Sequence, residues 1–387
     1  MMQDGSTVRV PQRRRRVAAW AAVTAVALLL AAACGDDDDG ATATTTTAGS
    51  GASTTAAGET TTTAMEEVDP LKVTIGSRSE VYGATWIALG ENLFEKHGVP
   101  VEVTSYDGIA TGLAQLSADQ IDLFFFTPLL GLNLANQGIP MSFIYRFSDI
   151  DYRTAAFATA KDIATVDDLR ALGSDCRVAS TSVGTSFYRM ALAFIEAYGL
   201  QCETVPQASG TLQVPALASG EVQGAVVIPT MAYQAAKDGI INLQYDPRSV
   251  TEEEGTKVFS ESYPHIVVFG KKAVLEEKRE AVVRFVSALQ EASQIIETSE
   301  PLDLANITVK VEPWATTDPA ASAESWAVIQ KQVPLGEEAG RIAEDEWNNV
   351  LKGLVSWGVE GVDPADADIS YDAVIDMSYF DEALARQ

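Results

Sequence analysis

The chain is poor in the residues that most enzymes and nucleic-acid binders need. It has two histidines, His97 and His265, and three cysteines, Cys34, Cys176 and Cys202. No CxxC, HExxH, GxSxG or GxxxxGK[ST] pattern occurs. Zinc, serine-hydrolase and nucleotide-phosphate chemistry therefore lack the spacings that bring their groups together. His97 closes a helix-like run and His265 opens an apolar strand-like one; neither has a nucleophile beside it, and neither falls in a turn predicted to face a cleft. Basic residues are scarce as well, with 27 Lys and Arg against 54 Asp and Glu, a net charge of −27. Phosphate backbones need basic patches, and the one basic cluster is the run Arg13 to Arg16. Nucleic acid is excluded as a partner, and the acidity reads as solubility.

What is present begins with a leader. After the basic run, residues 17–33 are almost unbroken apolar sequence, short for a membrane span of about 20 residues and ending in small residues before Cys34. Basic, apolar and small, in that order, is an export signal. The segment LAAACG around Cys34 is similar to a bacterial lipobox, in which the cysteine becomes the lipidated first residue. Ala31 stands where such signals usually have leucine. Residues 35–65 then collapse to Asp, Gly, Ala, Thr and Ser. Such a segment buries too little apolar surface to offset its ordering entropy and is expected to be a tether. Its acidic run, Asp36 to Asp39, reads as a solvated spacer.

The remainder says nearly the same thing twice. Strand-like runs at 73–76, 101–106 and 121–126 alternate with helix-like runs; runs at 177–181, 204–207 and 224–228 repeat the order. The clearest echo pairs LSADQID leading to Phe126-Thr127-Pro128 with LASGEVQ leading to Ile228-Pro229-Thr230. Strand, crossover and parallel strand make βαβ units, so the expected fold is α/β: two parallel-sheet lobes joined by a two-strand hinge with a cleft between them. At 387 residues the chain is long enough for two cores. The expected divisions are 1–33 signal, 34–66 lipidated cysteine and tether, 71–159 first lobe, 160–263 second lobe, and 264–387 a return to the first lobe plus C-terminal helices. Residues 141–145 read as a fourth strand, the first crossing falls near 157–162, and 246–262 reads as a loop. Trp314, Trp326, Trp347 and Trp357 read as packing anchors. Cys176 and Cys202 open two strands joined by one helix, which leaves open both a disulfide and a pair of buried thiols.

In open parallel sheets, ligands bind outside the carboxyl ends of strands, where loops diverge and helix starts offer free N–H groups. The candidate binding residues are therefore Ser77, Arg78, Ser79 and Tyr82 after the first strand, Tyr106 and Asp107 after the second, and Phe126 and Thr127 after the third. Their counterparts are Thr181, Ser182 and Thr185, the turn at 208–211, and Pro229 and Thr230. Thr127 has N-cap chemistry and Pro128 suits the first helical position. Trp86, Phe187 and Tyr188 are further wall candidates; Arg78, Arg146 and Arg189 would meet an anion and Glu80 an amine, so the ligand's charge stays undecided.

The leader and tether, GSRSEVY at 76–82, FEKHGVP at 94–100, the 116–128 segment, GIP at 138–140 and YFDEAL at 379–384 resemble the nitrate, sulfonate and taurine type of solute-binding protein. The resemblance covers nearly all of residues 71–387. It implies the type II periplasmic-binding fold, shared with thiamine-pyrimidine precursor binders, and an extracytoplasmic lipoprotein that hands a small organic solute to an ABC permease and ATPase. It also implies cleft roles for Ser79, Tyr82, Asp107, Thr127, Thr181, Thr185 and Thr230. The sequence departs from the pattern at Gln223, where an aspartate usually opens the strand, and at Phe124 to Phe126, whose bulk predicts a ligand larger than nitrate. A monomer without cofactor, metal or catalytic residue is expected. The competing classes are an enzyme like the thiamine-pyrimidine synthases, which would need a histidine and a cysteine-rich iron site, and a sensor domain that binds without transport.

Overall fold

β1 (Leu71–Ile75) alternates inward Leu71 and Val73 with an outward Lys72 and pairs in parallel with β2 (Val101–Ser105) on one side and β3 (Leu123–Phe126) on the other. A computed structural model of the chain describes residues 66–387 apart from 76–78, 106–108, 184, 313, 358 and 360. The expected export signal, Cys34 and all but the last residue of the expected tether lie outside the described residues. Among the helices described, none is long and apolar enough to cross a membrane.

The second copy repeats the first strand for strand. β6 (Arg177–Ser180) pairs in parallel with β7 (Glu203–Pro206) and β8 (Gly224–Val227). Each sheet is completed by strands flanking the crossings: β4 (Met141–Ile150), β5 (Ala156–Ala160), β9 (Ile241–Tyr245) and β10 (Tyr263–Lys271). The strand orders are β2-β1-β3-β10-β4 and β7-β6-β8-β5-β9. The sheets are mixed rather than parallel, because β10 and β5 run antiparallel to both of their neighbours. Each of these strands enters its sheet from the other lobe, and a chain arriving that way points opposite to the strands it joins. The first crossing accordingly precedes β5 instead of falling near 157–162, and β4 is twice the expected length. The second connection is not a plain loop. It carries the helix Glu252–Val258, started by a capping box in which Thr251 Oγ1 accepts from Glu254 N and Glu254 Oε2 accepts from Thr251 N.

The duplication reaches single side chains. Asp122 accepts from Lys72 N at 2.8 Å before β3, and Gln223 accepts from Arg177 N at 3.1 Å before β8. The unusual glutamine thus keeps the aspartate's role as an acceptor for the neighbouring strand. Cys176 and Cys202 form a disulfide, with Cα atoms 4.4 Å apart, just ahead of β6 and β7. Trp314, Trp326 and Trp347 are fully buried. Trp86 packs edge-on against Trp314, and Trp347 Nε1 donates to Ile369 O at 3.0 Å. Trp357 is half-buried and donates to Glu261 Oε1 at 3.1 Å.

Candidate functional site

Both lobes turn the carboxyl ends of their parallel strands toward one cavity of about 50 Å³. The first lobe lends it Ser79 and Tyr82 after β1, Ile109 after β2, and Phe126 and Thr127 after β3. From the second come Thr181 and Thr185 after β6, residues 208–210 after β7, and Ile228 after β8. Of the sequence candidates, Ser79, Tyr82, Phe126, Thr127, Thr181 and Thr185 therefore stand together. Ser182, Pro229 and Thr230 do not line the cavity, and Ser77, Arg78, Tyr106 and Asp107 lie outside the described residues.

Local structure fixes these positions. Ser79 caps the short turn Glu80–Tyr82, accepting from Val81 N, while its carbonyl receives Trp86 Nε1 at 2.9 Å. Trp86 is thus a core residue that holds the wall rather than a wall itself. Thr185 caps the helix Ser186–Ala197, accepting from Tyr188 N at 3.3 Å, and lies 2.5 Å from Thr181 Oγ1. Thr127 departs from expectation. It precedes the helix Pro128–Asn136, whose proline occupies the first turn, yet its hydroxyl caps nothing and is buried without a partner. The bulk of Phe124 and Phe125 does not reach the cavity. Phe125 packs on Phe147 and Phe285, Phe124 packs on Phe269, and only Phe126 is in the wall.

Charges expected at the site are engaged elsewhere. Arg146 pairs with Glu346 and lies 3.5 Å from Asp149, and Arg189 faces Glu261 at 3.6 Å. Glu80 is wholly buried beside the cavity but takes no place in its wall. Instead its carboxylate accepts from Thr230 of the second lobe and, at 3.1 Å each, from Ser322 and Ser325 of the helix Pro319–Ile329. Burial raises its pKa, with the hydrogen bonds opposing. Sequence reasoning missed His265, which lines the cavity at 4% exposure with Nε2 2.6 Å from Ser186 Oγ. Its strand is contiguous with the second crossing, so a reading of turns after parallel strands had no way to find it.

Residues 74–310 match the family model described as ABC transporter, phosphonate, periplasmic substrate-binding protein. The chain belongs to this family. No curated relative matches the sequence. Among solved structures, the family member is similar to the ligand-binding component of an ABC-type import system from Staphylococcus aureus, solved with zinc bound, at 11% identity over 82% of this chain and 99% of that one, TM-score 0.64. It is similar to the nitrate-binding protein NrtA from Synechocystis at 16% identity over 83% and 89%, TM-score 0.61. The alkanesulfonate-binding protein SsuA from Xanthomonas axonopodis, bound to MOPS, shares 13% identity over 76% and 95%, TM-score 0.56. The periplasmic-binding fold and the role of substrate-binding component of an ABC importer follow for this chain.

Proposed function

We infer that the cavity between the lobes captures a small organic solute, sulfonate-like or heteroaromatic, and that the lobes part about their two connections to admit it. One observation carries this reading: the hydroxyl-bearing residues Ser79, Thr127, Thr181, Thr185 and Ser209 converge from both lobes on one space walled also by Tyr82, Phe126, Phe187 and Ile228. Hydroxyls and helix starts suit a compact polar group, and the aromatic and aliphatic walls suit the apolar remainder. Sites for organic ligands run to roughly 300 Å³ or more, whereas about 50 Å³ stands free here. The hydrogen bonds Thr230 to Glu80 and Ser186 to His265 join the lobes and support reading this arrangement as closed. The apolar leader and Cys34 support a lipid anchor on the extracytoplasmic face, from which the chain delivers to a permease and its ATPase.

The enzyme alternative is disfavoured because Cys176 and Cys202 are joined to each other and so are not free to hold iron. Thermal shift against sulfonates, phosphonates, pyrimidines, flavins and amino acids tests the reading. A ligand at a hundred times its Kd stabilises by about 2.7 kcal/mol, and silence from the whole panel would overturn the assignment.

A further inference from the structure

Of the described residues lining the cavity, His265 is the one whose charge can change between pH 3 and 8. Its strand delivers it there by a local irregularity: Pro264 pairs with Asp149 and Ile266 with Ser148, so two steps on β10 oppose one on β4 and His265 is the extra residue. Such bulges re-aim a side chain. The ring spans the lobes through Nε2 and Ser186 Oγ, while Nδ1, at a residue 4% exposed, has no partner. Thr127 Oγ1, in the same wall, has none either.

Resting on the solute-binding reading, we propose that His265 receives the ligand's anionic oxo group and that an anionic solute binds together with one proton, taken from solvent onto the imidazole. A neutral ring can already give Nδ1–H to a ligand while Nε2 accepts from the Ser186 hydroxyl, but it brings no charge to meet an anion in a buried site. The imidazolium has two N–H groups, so Nε2–H donates to Ser186 Oγ while Nδ1–H donates to the anion, whose charge offsets the ring's. Burial pushes the pKa of the ligand-free ring down to about 3, so the proton arrives with the ligand. Of the charged groups on the surrounding elements, Arg146 of β4 pairs with Glu346 and lies 3.5 Å from Asp149, Arg189 faces Glu261, and Glu80 is held by Thr230, Ser322 and Ser325. Burial raises the pKa of Asp149 to about 6, so its titration is common to wild type and His265→Gln and cancels in their comparison. Tyr263, on the same strand, is kept neutral by burial.

Ethanesulfonate, butanesulfonate and benzenesulfonate serve as probes, because their charge does not titrate in the range used, and the matching neutral sulfonamides serve as controls. Calorimetry from pH 4.5 to 7.5, in buffers of differing ionisation heat, reads both affinity and proton uptake. The expected result is a Kd that rises about tenfold per pH unit until the ligand-bound pKa is passed, with about one proton taken up below it. His265→Gln, folded by circular dichroism, is expected to lose both the slope and the uptake. Sulfonate binding that is flat with pH, a slope retained in His265→Gln, or binding by sulfonamides alone would overturn the inference and leave the solute reading standing. Failure of both probe sets also overturns it, and the wider panel's silence removes the solute reading as well.

Discussion

The disulfide offers the most direct quantitative test of how the second lobe is held. Cys176 and Cys202 are separated by 26 positions, and the loop they close contains the helix Ser186–Ala197, whose start supplies Thr185, Ser186 and Phe187 to the cavity. In the loop-closure account, a bridge of this span removes about 3.5 kcal/mol of conformational freedom from the unfolded chain at 25 °C. The native strands do not need it for their register, because Glu203 N donates to Cys176 O at 2.9 Å and β6 and β7 pair throughout. The double substitution Cys176→Ala with Cys202→Ser removes the bond while leaving no buried hydroxyl at the inner position, since Cys176 is fully buried. With a urea slope of about 3 kcal/mol/M, the unfolding midpoint falls by about 1 M. Equilibrium denaturation, followed by tryptophan fluorescence, measures it. A midpoint that moves by less than about 0.3 M at unchanged slope would refute the reasoning, because loop closure would then contribute less than about 1 kcal/mol.

Thr127→Val removes a buried hydroxyl that bonds to nothing in the protein, so thermal stability should hold or rise slightly while ligand affinity drops about tenfold; an unchanged Kd would remove Thr127 from the site. His265 titrates near pH 3 when folded and near 6.5 when unfolded, so as pH falls from 7 to 4 the unfolded chain gains a proton that the folded chain does not. That group withdraws about 3 kcal/mol of stability over the interval, and parallel pH curves for wild type and His265→Gln in urea unfolding would contradict it. A Cβ at Gly131 would stand 2.6 Å from Phe143 Cζ, so Gly131→Ala is expected to cost about 1–3 kcal/mol in the same assay, and a neutral result would show that the helix Pro128–Asn136 can shift.

The duplication was legible because each copy carries a continuous apolar strand, a turn and a helix start that need no tertiary context, as at 116–128 and 217–229. Six of the candidate residues stand in one wall for the same reason: the ends of parallel strands are local features. What sequence hid depends on contacts between distant segments. Whether Arg146 and Arg189 are free for a ligand depends on Glu346 and Glu261. The position of His265 depends on a bulge against β4. The antiparallel sense of β5 and β10 was also hidden, because direction within a sheet belongs to topology rather than to the composition of AFATA or YPHIVVFGK.

The strand orders also set a timetable for assembly. The second sheet draws all of its strands from 156–245, an unbroken piece of chain that can pair as soon as it is released. The first cannot: among the described strands β4 pairs only with β10, which emerges after the whole second lobe, and its other backbone partners, at Gln332, Gly340 and 375–376, come later still. The N-terminal half of the molecule must therefore wait, part-built and with β4 unpaired, until the chain has made its other half. Late closure across so long a gap carries an entropic cost that slows it, and in that interval the unfinished first lobe is most exposed to proteolysis and to pairing with its own copies.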